Sequence, residues 1–147
     1  MSKLIITGER FIPESEDVEL ELEHLERYSA VLKIVKEKRV LDAACGEGYG
    51  SNLMAAAARS VVGIDIDEDT IANAKQKYGE RNNLSFVQGS VAELSFVADK
   101  SIDVVVSFET IEHIDEELQK AFLEEVKRVL ADDGILIMSS PNKKEYT

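Results

Sequence analysis

Five short apolar runs constrain this chain more than any other feature. They are Val40-Leu41-Asp42-Ala43-Ala44, Val61-Val62-Gly63-Ile64, Leu84-Ser85-Phe86-Val87, Val104-Val105-Val106 and Ile135-Leu136-Ile137-Met138. Their lengths suit strands, and they read as continuously apolar rather than alternating, so a sheet built from them must be buried on both faces. Segments of helical pattern alternate with them. That alternation predicts an α/β fold, a parallel sheet between helical layers. Right-handed crossovers then leave the doubly wound topologies as the main choice.

The segments between the runs carry their own signals. From Glu16 to Val35, Leu22, Leu25, Tyr28, Leu32 and Val35 recur at three- or four-residue spacing, the mark of a helix with one apolar stripe. Gly50 to Ala58 is rich in Ala and Leu and reads as a helix. The second strand ends at Asp65; Asp67-Glu68-Asp69 then supplies an N-cap and first-turn acids for a helix reaching about Tyr78. The fourth strand spans Ser101 to Phe108. Asp115 to Leu130 is amphipathic, with Leu118, Phe122, Val126, Val129 and Leu130 on one side, and Asp132-Asp133-Gly134 is its stop signal. Pro141 closes the fifth strand. The chain is expected to form a single domain: an N-terminal arm and helix over 1–37, with residues 1–14 irregular, a core over 38–141 and a short tail over 142–147.

At 147 residues the chain fits one domain with a core of its own. With 17 basic and 29 acidic residues its net charge is −12, which repels a phosphate backbone or an anionic membrane. No nucleic-acid or membrane partner is expected, and Lys143-Lys144 reads as a solvated tail. Cys45 is the single cysteine, so an internal disulfide or a multi-thiolate metal site is excluded, and no metal is expected. No stretch reaches the roughly 20 apolar residues of a membrane span. The apolar run at Leu4-Ile5-Ile6 is too short for a signal peptide. A reducing cytoplasm is the simplest location.

In doubly wound folds ligands bind beyond the carboxyl ends of the strands, where strand order reverses. The first strand leads into Asp42-Ala43-Ala44-Cys45-Gly46-Glu47-Gly48-Tyr49-Gly50, whose glycines let the backbone turn sharply and approach a ligand. The following helix offers free N–H groups at its start, although any tight strand-to-helix turn uses such glycines. Asp42 sharpens the reading. A carboxylate at the end of a buried strand needs a partner; a ligand ammonium would serve, whereas a pyrophosphate would be repelled. Alternatively, Asp42 hydrogen-bonds the turn amides. Asp65 lies 19 residues beyond Gly46 (65 − 46), placed to accept from ribose hydroxyls; its other reading is a turn or capping acid, a task that Asp67 and Asp69 already suit. Ile66 is placed to pack on an adenine face. Gln88-Gly89-Ser90-Val91 is placed to reach the adenine edge, and Phe108-Glu109-Thr110 faces the same cleft. Cys45 reads as a small residue fitting the turn.

On these residues the chain resembles the class I S-adenosylmethionine-dependent methyltransferases. Val40 to Gly50 is similar to their first motif and Val61-Val62-Gly63-Ile64-Asp65-Ile66-Asp67 to their second. Asp103 to Ile114, and Val126-Lys127-Arg128-Val129-Leu130 through Gly134-Ile135-Leu136, resemble later segments. The resemblance covers residues 38–141. Thr7 to Glu14 and Glu23-His24-Leu25-Glu26-Arg27-Tyr28 are similar to a bacterial branch associated with cell-surface polysaccharide genes. The resemblance implies a Rossmann-like sheet of about five strands in the order 3-2-1-4-5, with S-adenosyl-L-methionine as cofactor and S-adenosyl-L-homocysteine as product. It implies a cofactor site made of Asp42, Ala44, Gly46, Gly48, Tyr49, Asp65, Ile66, Ser90, Val91 and Phe108, closed by Arg27 and Tyr28 from the N-terminal helix. Ser90 departs from the family, which often has an acid there. Ala131-Asp132-Asp133-Gly134 lacks the usual Pro-Gly.

The family fold usually adds two strands after the fifth, and they are lacking here. The fifth strand is therefore expected at an open edge, which a homo-oligomer or another chain would cover. Methyl transfer to a small-molecule acceptor, such as a sugar or polysaccharide component, is the activity implied; Glu112 and His113 are the candidate general bases for an oxygen acceptor. Adjacent residues do not share a helical face, so one of them is expected to point into the cleft. The competing readings are a non-catalytic cofactor-binding domain or assembly subunit, and a nicotinamide-dependent oxidoreductase.

Overall fold

The computed structural model describes residues 4–7, 29–108 and 114–139. Strand β1 (Leu4–Thr7) is followed by a helix over residues 29–35, α1. Then come β2 (Arg39–Ala43), α2 (Tyr49–Ala55), β3 (Ser60–Asp65), α3 (Glu68–Tyr78), β4 (Leu84–Gln88), β5 (Ile102–Phe108), α4 (Glu116–Val129) and β6 (Leu130–Ser139). The six strands form one sheet in the order β1-β6-β5-β2-β3-β4, and every pairing is parallel. The five strands expected from sequence are β2 to β6, and they stand in the expected order.

The sixth strand corrects the expectation of an irregular arm and an open edge. Leu4 to Thr7 pair with Leu136 to Ser139, so the chain's own N-terminal segment covers β6. A neighbouring subunit is not needed for that purpose. Arg27 and Tyr28, the first half of the expected N-terminal helix, and Lys143-Lys144 lie outside the described residues.

Each helix sits on the face that its apolar stripe selects. Val31 and Val35 of α1, Met54 and Ala55 of α2, and Ile71 and Ala74 of α3 bury against Val40, Val61, Val104 and Val106. On the other face Phe122, Val126 and Val129 of α4 pack with Leu94 and Val97 over Leu41, Ile64 and Val105. Asp67 caps α3, accepting from the Asp69 N–H at 3.1 Å and the Thr70 hydroxyl at 2.7 Å, and Asp115 caps α4 through the Leu118 N–H at 2.9 Å. Two expectations are corrected here. Leu118 was placed on the buried side of α4 but is 42% exposed, because no element covers the first turn on that side. The stop signal Asp132-Asp133-Gly134 does not precede β6 but lies within it: Ile102 pairs with Leu130 and Val104 with Ile135, so the extra residues bulge out of the ladder. Arg39 ties the feet of the central strands, its backbone N–H and guanidinium both donating to Asp103 at 2.8–3.0 Å. This holds the Asp103 carboxyl down at about 2.

Near its carboxyl end, β5 carries a local imperfection. Ser107 is 1% exposed, and its hydroxyl has no hydrogen-bond partner. An unmet buried hydroxyl is costly, so Ser107→Ala is expected to raise stability by about 1 kcal/mol. The shift of the urea midpoint at unchanged m-value checks this; a fall would mean that the hydroxyl is satisfied.

Candidate functional site

Strand order reverses between β2 and β5: the chain steps from β2 to β3 and β4 on one side, then returns to β5 and β6 on the other. The tips of β2, β3, β4 and β5 therefore open onto one crevice. Asp42, near the tip of β2, is 6% exposed. Its described partner is neutral: the Ser51 hydroxyl, one turn into α2, donates to Oδ2 at 2.5 Å. Burial pushes the Asp42 carboxyl up to about 7; the Ser51 hydrogen bond opposes the rise and the charge of nearby Asp65 adds to it. Two carboxylates thus share this corner of the sheet, one buried and one half-buried.

The turn between them is stitched to β3. The Cys45 N–H donates to the Ile64 carbonyl at 2.8 Å, and the Gly46 N–H donates to Asp65 Oδ2 at 3.0 Å. Asp65 Oδ1 accepts from the Asp67 N–H, also at 3.0 Å. The alternative reading of Asp65 as a turn acid is thus visible in the structure. Each carboxylate oxygen can accept more than one hydrogen bond, so these contacts orient Asp65 without exhausting it. Further along, the Gly89 N–H donates to the Asp65 carbonyl at 2.9 Å, and the Gln88 side-chain amide to the Ile66 carbonyl at 2.8 Å. These bonds draw the tip of β4 toward the same place.

Ala44, Gly46 and Gly48 all have positive φ, at 57°, 57° and 92°. The two glycines differ in surroundings. A side chain at Gly46 would meet nothing within 4 Å, whereas at Gly48 it would stand 2.7 Å from the ring of buried Phe86. Gly46 faces the crevice, and Gly48 rests on the core. Tyr49 opens α2 and is 42% exposed, and Ile66 is 66% exposed. An aliphatic side chain that open at the tip of a strand is suited to stack on a flat ligand. Ser90 sits in a turn, its hydroxyl accepting from the Ala92 N–H at 3.1 Å. Val91 packs into the α4-side core, so only its backbone is available to a ligand. Phe108 ends β5 and packs partly against the opposite core. Glu112 and His113 lie outside the described residues.

Ser51 escaped the sequence reading. A serine in an Ala- and Leu-rich helix carries no distinctive signal, although its place one turn beyond the glycines was a clue. Cys45 is half-buried, and burial, together with the charges of Asp42 and Asp65, pushes its thiol well up, so it is no nucleophile. Among the described residues no cluster of three or more His, Cys, Asp or Glu could hold a metal, and no helix is long and apolar enough to cross a membrane.

A doubly wound parallel sheet with acids at two adjacent strand tips and a glycine turn between them defines a nucleoside-binding domain of the Rossmann-like type. Comparison with known proteins narrows that class. Residues 41–138 match the family described as "Methyltransferase domain". A Mycobacterium tuberculosis H37Rv protein named "Probable S-adenosylmethionine-dependent methyltransferase" is 38% identical over 98% of this chain and 51% of its own length. A fatty-acid O-methyltransferase of Mycolicibacterium smegmatis is 34% identical over 86% of this chain and 46% of its own. Among solved structures, the PH0226 protein from Pyrococcus horikoshii OT3 superposes with a TM-score of 0.71 at 35% identity, covering 85% of this chain and 58% of that one. The chain belongs to the S-adenosylmethionine-dependent methyltransferases, whose cofactor is S-adenosylmethionine. It spans about half the length of the curated relatives it matches.

Proposed function

We propose that this chain binds S-adenosylmethionine at the tips of β2, β3 and β4 and, in the protein it forms, directs methyl transfer to an oxygen of a small-molecule acceptor. The observation that carries the reading is Asp42, a buried carboxyl whose described partner is a neutral hydroxyl. A buried acid in that state gains from a cation, and the cofactor's amino-acid ammonium supplies one. A pyrophosphate would meet two acids instead, which counts against a nicotinamide dinucleotide.

The other residues fit the same ligand. The open space at Gly46 admits the methionine portion, with Ala44, Gly48 and Tyr49 shaping the turn around it. Asp65 accepts from the ribose hydroxyls, Ile66 lies on the adenine face, and the Ser90–Val91 turn meets the adenine edge. Phe108 forms the far wall, with Arg27 and Tyr28 closing over it. When bound, the cofactor supplies a methyl group already activated as a sulfonium. The protein's work is then to align the acceptor and to exclude water. Glu112 or His113, just beyond β5, takes the proton from an oxygen acceptor. A hydroxyl-bearing acceptor is favoured by relatives named as O-methyltransferases. We favour a sugar or polysaccharide component on the resemblance of Thr7 to Glu14 and Glu23 to Tyr28, and the cytoplasm on the single free thiol at Cys45.

Titration calorimetry of the chain with S-adenosylhomocysteine tests the proposal. A dissociation constant on the order of micromolar is expected, within the ordinary range for such ligands. Absence of binding, or NAD binding that S-adenosylhomocysteine does not displace, would overturn it. Methyl transfer to sugar hydroxyls, followed with labelled cofactor, checks the acceptor class.

A further inference from the structure

Between β4 and β5 the chain runs from residue 89 to residue 101 without helix or strand. No ladder holds this stretch, yet it carries Ser90 and Val91. What fixes it is one side chain from α4. Arg128 Nη2 donates to the Leu94 carbonyl at 2.7 Å, and Nη1 donates to the Val97 carbonyl at 2.9 Å and to Asp99 Oδ1 at 2.7 Å. Glu125, one turn earlier, aims the guanidinium, accepting from Nε at 2.9 Å and from Nη2 at 3.3 Å. The same carboxylate accepts from the Leu94 N–H at 2.6 Å, and the Arg128 carbonyl accepts from the Lys100 N–H at 3.0 Å.

These bonds grip residues 94 to 100, while Leu94 and Val97 are sunk in the core beside Phe122 and Val126. The free part of the stretch is therefore short. It is the turn in which the Glu93 N–H donates to the Ser90 carbonyl at 3.1 Å. That turn hangs between two fixed points, the Gly89–Asp65 bond and the Arg128 clamp. Loss of the clamp would release the turn and leave Asp42 and Asp65 on their own strands.

We infer that Arg128, aimed by Glu125, is a positioning residue for the adenine end of the cofactor site, setting where the Ser90–Val91 turn meets the base. The inference rests on the cofactor reading above. Only a planar fork with several donors reaches three acceptors on one segment at once; a lysine is a point charge and does not.

The test compares S-adenosylhomocysteine with S-inosylhomocysteine, which differs at the exocyclic group of the base, by calorimetry on wild type and on Arg128→Gln. Wild type is expected to prefer the adenine compound. Arg128→Gln is expected to lose about tenfold in affinity for it, about 1.4 kcal/mol, and less than about threefold for the inosine compound, so that the preference collapses. Arg128→Lys should recover only part of the preference. Amide hydrogen exchange should quicken over residues 92–99 and stay unchanged in β2 and β3. A merely structural role would weaken both ligands alike, and an unchanged preference in Arg128→Gln overturns the inference while leaving the cofactor reading intact. Failure of wild type to bind either compound overturns the cofactor reading itself, and this inference with it. Should Arg128→Gln not fold, Asp99→Asn removes one of the three grips. It should shift the preference in the same direction by about twofold to threefold, and no shift overturns the inference.

Discussion

Asp42→Asn is expected to weaken S-adenosylhomocysteine binding at pH 8 by about 100-fold or more, while making the ligand-free chain more stable. The loss follows from removing one partner of a buried ion pair, which costs about 2–5 kcal/mol. The gain follows from linkage. Burial pushes Asp42 up to about 7, whereas in the unfolded chain an aspartate ionises near ~4. Between these two values the folded chain holds a proton that the unfolded chain has released. This group's contribution to stability therefore falls as pH rises through that window, and stays at its lower level above pH 7. Asparagine has no such proton and still accepts from Ser51, so the variant's advantage should grow across the window and then level off. Wild-type affinity should show the counterpart. Binding an ammonium requires the carboxylate, so affinity should fall by up to about tenfold per unit as pH drops below about 7, and the variant should lack this slope. Calorimetry across pH, with thermal melts of the same samples, reads both signs. A variant that bound normally and showed no change in stability would mean that Asp42 faces no ligand and is not strained by burial.

The split between what could be read in advance and what could not has physical causes. Strands β2, β3 and β5 were legible because a buried parallel strand is apolar at every position, a pattern that survives without knowing its neighbours. Strand β4 was legible for a different reason, since Leu84 and Phe86 mark one buried face of an outer strand. Strand β1 was missed because Leu4-Ile5-Ile6-Thr7 becomes a strand only by pairing with Leu136 to Ser139, far away in sequence. Leu118 was misplaced because periodicity shows which side of a helix is apolar, and not whether anything covers its first turn. In the site, Asp42 and Asp65 stood out as acids at the ends of apolar runs. Ser51 and Arg128 did not, since their roles depend on where α2 and α4 fall against particular loops. The glycine turn was legible as a turn, but its members could not be told apart until the packing beneath them was known.

That difference yields the other large effect. Gly48→Val is expected to destabilise the chain by about 4 kcal/mol, from strain at a positive φ together with overpacking against a core ring. The backbone there sits at φ 92°, where a β-branched residue is strained whatever the space around it. Its first side-chain atom would also fall 2.7 Å and 2.9 Å from two ring atoms of Phe86 and 3.2 Å from the Ala74 methyl. Phe86 is itself buried, and Gly63 packs against the same ring, so the ring has little freedom to retreat. Gly46→Ala provides the contrast. Its φ of 57° costs a side chain about 1 kcal/mol, but the added methyl meets no protein atom within 4 Å. That variant should fold nearly as well as wild type, yet bind S-adenosylhomocysteine at least about tenfold more weakly, because the methyl occupies space assigned to the cofactor. Urea denaturation and calorimetry on the pair separate the two roles. A Gly48→Val chain as stable as wild type would show that Phe86 does not lie beneath the turn. A Gly46→Ala chain that bound normally would show that the space above it belongs to no ligand.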